Sequence, residues 1–185
     1  SVLGTSSYIL ITGASGGLGV ALIDWLVDMA QIFASRLILL VRNGRAASRF
    51  DSWNVRPRIR VAKLLHCLDD LEAAKLPPCS TIFHLAGTLK DAMLPSLTYE
   101  SFSKPIVPKA GGLISLRRLS SDSNWPVRSL VAYSSTTSLY GFGGQTNYAA
   151  ANSILDAAAD FGDDDNDNRG ERHPSVIVSA ERPRC

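Results

Sequence analysis

The segment YILITGASGGLG, residues 8–19, constrains this chain most, because a continuous apolar run breaks into four glycines where a helical pattern begins. Residues 8–11 are apolar in succession, as a strand buried on both faces of a parallel sheet requires. Gly13, Gly16, Gly17 and Gly19 allow a sharp turn and a close approach of main chain to a ligand. A helix predicted over residues 18–30 would then aim free N–H groups and its positive dipole end at an anion. The unit reads as a cradle for the pyrophosphate of a dinucleotide. An ordinary strand-to-helix loop also uses glycine; the flanking strand and amphipathic helix favour the nucleotide.

The second apolar strand, SRLILLV at residues 35–41, bears on which nucleotide binds. A site that prefers NAD places Asp or Glu at the end of this strand, against the ribose hydroxyls. Here the chain has Arg42, Asn43, Gly44 and Arg45. Guanidinium groups pair with a 2′-phosphate that a carboxylate would repel, so Arg42 and, secondarily, Arg45 predict NADPH. Arg49, Arg56, Arg58 and Arg60 read as a solvated basic loop.

Further strands are predicted at residues 59–67, 81–85, 129–135 and 175–180, alternating with helical patterns. The fold class is therefore α/β, a doubly wound parallel sheet of Rossmann type. Ala86 and Gly87 end the fourth strand, where small residues let a cofactor ribose lie against the backbone. Residues 96–119 carry helical periodicity around Pro105 and Pro108, each of which removes a backbone donor, so this helix is predicted to bend or break. SLVAYSS at residues 129–135 delivers hydroxyls to the carboxyl edge of the sheet, where open α/β sheets bind ligands. Tyr148 and Asn152, at i and i+4, share one face of a helix predicted to run to about Phe161. GDDDNDNRGERH, residues 162–173, reads as a polar, acidic solvated loop without the spacing of a calcium site.

TGASGGLG at residues 12–19, HLAG at 84–87, Ser134 and Ser135, and GQTNYAAAN at 144–152 resemble the short-chain dehydrogenase/reductase superfamily. The stretch LKDAMLPSLTYESFSKPIVPKAGG, with YAAAN in place of YxxxK, resembles more narrowly the ketoreductase domains of type I polyketide and fatty acid synthases. The resemblance spans residues 8–159. It implies a catalytic set of Ser135, Tyr148, Lys109 and Asn152, with lysine and asparagine exchanged relative to the wider superfamily. Tyr148 would be the general acid, Ser135 would hold the carbonyl oxygen, Lys109 would assist the phenol and bind the nicotinamide ribose, and Asn152 would order the lysine and a water. Cofactor contacts are implied for Thr12, Gly13, Ser15, Gly16, Gly17, Leu18, Gly19, Arg42, Arg45, Asp69, Ala86 and Gly87, together with Tyr148 and Lys109. Asp69 serves equally well as a helix N-cap.

By the same resemblance the substrate is a 3-oxoacyl thioester on the phosphopantetheine of an acyl carrier protein, and neighbouring synthase domains are partners. Leu89, Lys90 and Asp91 match an LDD-type motif at two positions, which leans toward the R alcohol. Relatives continue with a lid helix and a further strand and carry an upstream subdomain, so residues 1–185 are expected to be one catalytic domain cut from a larger synthase. Two other classes share the cradle: a noncatalytic nucleotide-binding scaffold and a free-standing short-chain dehydrogenase.

At 185 residues the chain can bury one substantial core. A formal net charge of +2 is too small to point to nucleic acid. Cys67, Cys79 and Cys185 cannot all pair and lack metal-type spacing, so a reducing, cytoplasmic compartment is expected. No apolar stretch is long enough to span a bilayer.

Overall fold

A computed structural model describes residues 8–41, 58–61, 76–164 and 175–181. Six parallel strands form one sheet: β1 (Tyr8–Thr12), β2 (Leu37–Val41), β3 (Arg58–Val61), β4 (Cys79–His84), β5 (Ser129–Ser135) and β6 (Ser175–Glu181), in spatial order β3-β2-β1-β4-β5-β6. The order reverses between β1 and β4, the switch point at which doubly wound sheets bind ligands beyond the carboxyl ends of their strands.

Strand alternation explains the two layers. Leu10, Ile38, Leu40, Ile82, Leu130 and Ala132 form one core with Leu113, Leu116, Leu119 and Leu155. Ile9, Ile11, Leu37, Leu39 and Val41 form the other with Ile23 and Leu26. Every second residue therefore enters a different core, which is why the strands read as unbroken apolar runs.

Helix α1 (Gly17–Asp24) follows the glycine turn and passes into a π turn, Trp25–Met29. Ile23 and Leu26 bury against the sheet, while Trp25 and Met29 are exposed. A 3₁₀ turn over Ala34–Arg36 shortens the second predicted strand at its start, so β2 begins at Leu37. The strand predicted over 59–67 begins one residue earlier, and β3 is described over Arg58–Val61. Arg42, Arg45 and Asp69 lie outside the described residues.

The proline-containing segment folds as α2 (Tyr99–Ile106), a π turn (Val107–Gly111) and α3 (Gly112–Asp122). Thr98 opens α2: its hydroxyl accepts from the Ser101 N–H at 3.2 Å, and the Ser101 hydroxyl accepts from the Thr98 N–H at 2.9 Å. Pro105 and Pro108 do not terminate the helix. They shift its register into a π turn that carries Lys109. A short helix α4 (Thr137–Tyr140) follows β5, and α5 (Thr146–Asp164) runs three residues past the predicted end at Phe161. Its early alanines offer no steric barrier to packing; Ala151 is fully buried, and Leu155 enters the core that α3 covers.

Both faces of the sheet depend on these cores. Leu10→Ala, at a fully buried position on the central strand, is expected to lower unfolding free energy by ~2–5 kcal/mol in urea titration; a loss under ~1 kcal/mol would contradict the placement.

Candidate active site

The glycine turn is built as a close-approach device. Gly13 has φ +66, and a Cβ there would lie 2.6 Å from the Leu85 carbonyl oxygen. A Cβ on Gly19 would lie 2.5 Å from the Gly13 carbonyl oxygen. Glycine at these two positions lets the turn fold back on β4 and α1 sit on the turn. Gly16, the N-cap of α1, supplies no side-chain cap, and Gly16, Gly17 and Leu18 are exposed. The first-turn N–H groups are thus available to an anion.

Thr12 and His84 end adjacent paired strands, in register with one another. The Ala86 N–H donates to Thr12 Oγ1 at 3.1 Å. His84 Nε2 lies 2.8 Å from the Lys109 carbonyl oxygen, which can only accept, so Nε2 carries the proton. Nδ1 of the neutral ring is then the acceptor for the Thr12 hydroxyl at 2.8 Å. Burial lowers the His84 pKa from 6.5 to about 4; the bond to the Lys109 carbonyl opposes this and the Lys109 charge adds to it. A neutral imidazole therefore connects the edge of the glycine turn to the main chain of Lys109.

Lys109 is only 6% exposed. Its Nζ donates to the Tyr133 carbonyl oxygen at 2.6 Å and lies 5.2 Å from the centroid of the Tyr148 ring, within cation–π range. A Cβ on Gly87 would come 3.2 Å from Lys109 Cε, so this glycine makes room for the lysine stem.

Tyr148 is half-buried near the start of α5, and Asn152 is fully buried one turn later. Asn152 Nδ2 donates to the Tyr148 carbonyl at 2.8 Å, while its Oδ1 is buried with no hydrogen-bond partner among the described residues. The Ser134 hydroxyl donates to the Asn152 carbonyl at 3.5 Å, joining β5 to α5. Ser135, at the tip of β5, is 3% exposed and its Oγ accepts from the Thr137 N–H at 3.3 Å. Because that contact uses the oxygen as acceptor, the hydroxyl proton remains available to donate. Ser15 is half-buried in the glycine turn, and Ala86 is buried beside it.

Lys109 of the π turn is thus brought beside Tyr148 of α5, one turn before Asn152 on the same helix, and Ser135 ends the strand whose Tyr133 carbonyl holds the ammonium. Two residues of this network, His84 and Asn147, carry no role in the sequence reading. A histidine inside a buried strand signals a need for partners, and the missing N–H of Pro105 signals a carbonyl that some other donor must meet. Asn147 is that donor, at 2.6 Å from the Ser101 carbonyl.

Among the described residues no cluster of His, Cys, Asp or Glu could hold a metal ion, and no helix is long and apolar enough to cross a membrane. The nicotinamide dinucleotide used by short-chain dehydrogenases fits the residues present. The close-packed glycine turn leaves the start of α1 open to phosphate, and the orphan Asn152 acceptor lies one turn from Tyr148.

A glycine-turned doubly wound sheet with a buried lysine beside a helical tyrosine defines the class as the short-chain dehydrogenase/reductase fold. A family model described as the KR domain matches residues 7–168. The chain is 35% identical over 176 residues to a chalcone synthase of Aspergillus candidus, covering 86% of this chain and 6% of that protein. It is 32% identical over 186 residues to a 6-methylsalicylic acid synthase of Arthrobotrys oligospora, covering 86% of this chain and 10% of that protein. The solved structure of the first ketoreductase of the tylosin polyketide synthase superposes with a TM-score of 0.74 at 28% identity, covering 96% of this chain and 39% of that one. The chain belongs to the KR domain family, ketoreductases of the short-chain dehydrogenase/reductase superfamily of oxidoreductases. It spans 6 and 10% of the length of the two curated relatives named.

Two outcomes test this geometry. With a folded pKa of about 4 against 6.5, His84 takes up its proton in the unfolded chain first, so stability falls as pH drops between those values. Urea titrations at pH 7 and pH 4.5 should show a loss of ~2–3 kcal/mol attributable to this group, absent in His84→Gln. An identical pH slope in both proteins would contradict the buried neutral ring. Gly13→Ala forces a side chain onto φ +66 and into Leu85; it should weaken nicotinamide dinucleotide binding about 10-fold or more by fluorescence titration, or unfold the domain. Binding at the parent level would contradict the close-packed turn.

Proposed function

We propose that this chain reduces the 3-oxo group of an acyl thioester carried by an acyl carrier protein to the 3-hydroxy group, with NADPH as reductant. The observation that carries the reading is the buried Lys109 ammonium, 5.2 Å from the Tyr148 ring centroid and held by the Tyr133 carbonyl. One similar protein is named a probable polyketide synthase of Dictyostelium discoideum, and one similar structure is a ketoreductase of the tylosin polyketide synthase, which favours polyketide assembly over fatty acid synthesis. Neighbouring synthase domains and the carrier protein are the proposed partners, in the cytoplasm. Arg42 and Arg45 would hold the 2′-phosphate, and Asp69 the adenine side.

When bound, NADPH supplies the hydride that reaches the carbonyl carbon. Negative charge then develops on the ketone oxygen, and Tyr148 gives that oxygen its phenolic proton, completing the alcohol. The Ser135 hydroxyl donates a hydrogen bond to the same oxygen and holds it within reach of the phenol. Lys109, as a cation beside the ring, favours the charge left on the tyrosine oxygen. Asn152 Oδ1 accepts from a water that can return a proton to the phenol through the lysine.

NADPH oxidation followed by absorbance, with a decalone and with a carrier-bound 3-oxoacyl thioester, tests the assignment. Tyr148→Phe should lower turnover by at least ~10²-fold, and Ser135→Ala by ~10²-fold, with cofactor binding retained. Turnover of Tyr148→Phe at the parent rate would refute the proton-donor role. Cofactor binding without turnover in the unaltered protein would favour a scaffold.

A further inference from the structure

We propose that Asn147 is a positioning residue that sets the spacing between Tyr148 and Lys109, an inference that rests on the reading of those two as the proton-donating pair. Asn147 is fully buried, and every polar atom of its carboxamide is used. Nδ2 donates to the Ser101 carbonyl at 2.6 Å and to the Lys90 carbonyl at 2.8 Å. Oδ1 accepts from the Tyr148 N–H at 2.8 Å. The amide orientation is fixed by its partners, since two carbonyls cannot face the oxygen and an N–H cannot face the nitrogen.

The arrangement originates in Pro105. In a regular helix the Ser101 carbonyl accepts from the N–H four residues on, but residue 105 has none. The buried carbonyl needs another donor, and Asn147 is where the chain provides it. Ser101 lies on α2, which leads without a break into the π turn bearing Lys109. Lys90 lies in the segment that leaves Gly87, against which the lysine stem packs. The Tyr148 N–H belongs to the first turn of α5, where helical partners are lacking. One carboxamide therefore ties the helix of the phenol to the helix that leads to the ammonium and to the segment that follows β4. Loss of it would leave the buried Ser101 carbonyl and the partly buried Lys90 carbonyl and Tyr148 N–H without this partner and release α5 to move against α2.

The test compares Asn147→Ala and Asn147→Asp with the unaltered protein, reading kcat with a decalone, KM for NADPH, and NADPH binding by fluorescence. Asn147→Asp keeps the acceptor for Tyr148 but sets a carboxylate oxygen against two carbonyls. Both variants should lose kcat by about 10²-fold, with NADPH binding within about 3-fold of the parent, since Asn147 touches none of the cradle. The added change Pro105→Ala restores an N–H for the Ser101 carbonyl and should recover part of the lost kcat in the Asn147→Ala background. If Asn147→Ala does not fold, recovery of fold and partial activity by Pro105→Ala supports the proposal equally. Parent-level kcat in either variant, or parallel loss of kcat and NADPH binding without recovery, overturns it. An unaltered protein that binds NADPH but reduces no ketone removes the reading beneath it instead, and the proposal with it.

Discussion

Taking a lysine ammonium out of water is unfavourable unless acceptors and an electron-rich surface replace the lost hydration. Much of the active half of this molecule can be understood as the means of doing so for Lys109. The Tyr133 carbonyl meets the ammonium, the Tyr148 ring lies beside it, Gly87 clears a path for its stem, and His84 holds its carbonyl. Each contact comes from a different element, so the lysine can occupy this position only when β4, β5 and α5 are assembled around the π turn. Chemistry and folding are coupled through one side chain.

The cofactor cradle joins the same network. Thr12 closes β1, begins the glycine turn, and accepts from Ala86 while donating to His84. A displacement of the turn would be passed through the imidazole to the Lys109 main chain. Burial keeps that ring neutral at physiological pH, so its donor and acceptor sides stay assigned and both neighbours remain satisfied. Elsewhere the molecule tolerates exposure of large apolar groups, such as Trp25 and Met29 in the π turn that follows α1. The polar contacts around Lys109 and Asn147, by contrast, are buried or partly buried.

The sheet was legible because its strands are apolar in unbroken runs, and SLVAYSS matched β5 at both ends. The glycine turn and the pairing of Tyr148 with Asn152 follow from spacing alone. Lys109 was legible only through family resemblance: seen by itself, a lysine between prolines looks like a surface residue, and its burial depends on a π turn that periodicity does not reveal. The short start of β2, the helix Thr137–Tyr140 and the extension of α5 to Asp164 reflect local turns decided by tertiary packing. His84 and Asn147 escaped notice because their partners are backbone carbonyls 25 and 46 residues away, which no local pattern encodes.

The account stands on the amine of Lys109 itself. Lys109→Cys treated with 2-bromoethylamine regenerates an amine of nearly lysine length at this position; Cys79, buried and with its thiol pushed up to about 12, is expected to resist the reagent. With the unaltered protein treated in parallel, the measurement is NADPH-dependent reduction of a decalone before and after alkylation. Loss of turnover in Lys109→Cys, substantially restored by aminoethylation, is the result the account predicts. Turnover by unmodified Lys109→Cys at the parent rate would contradict it.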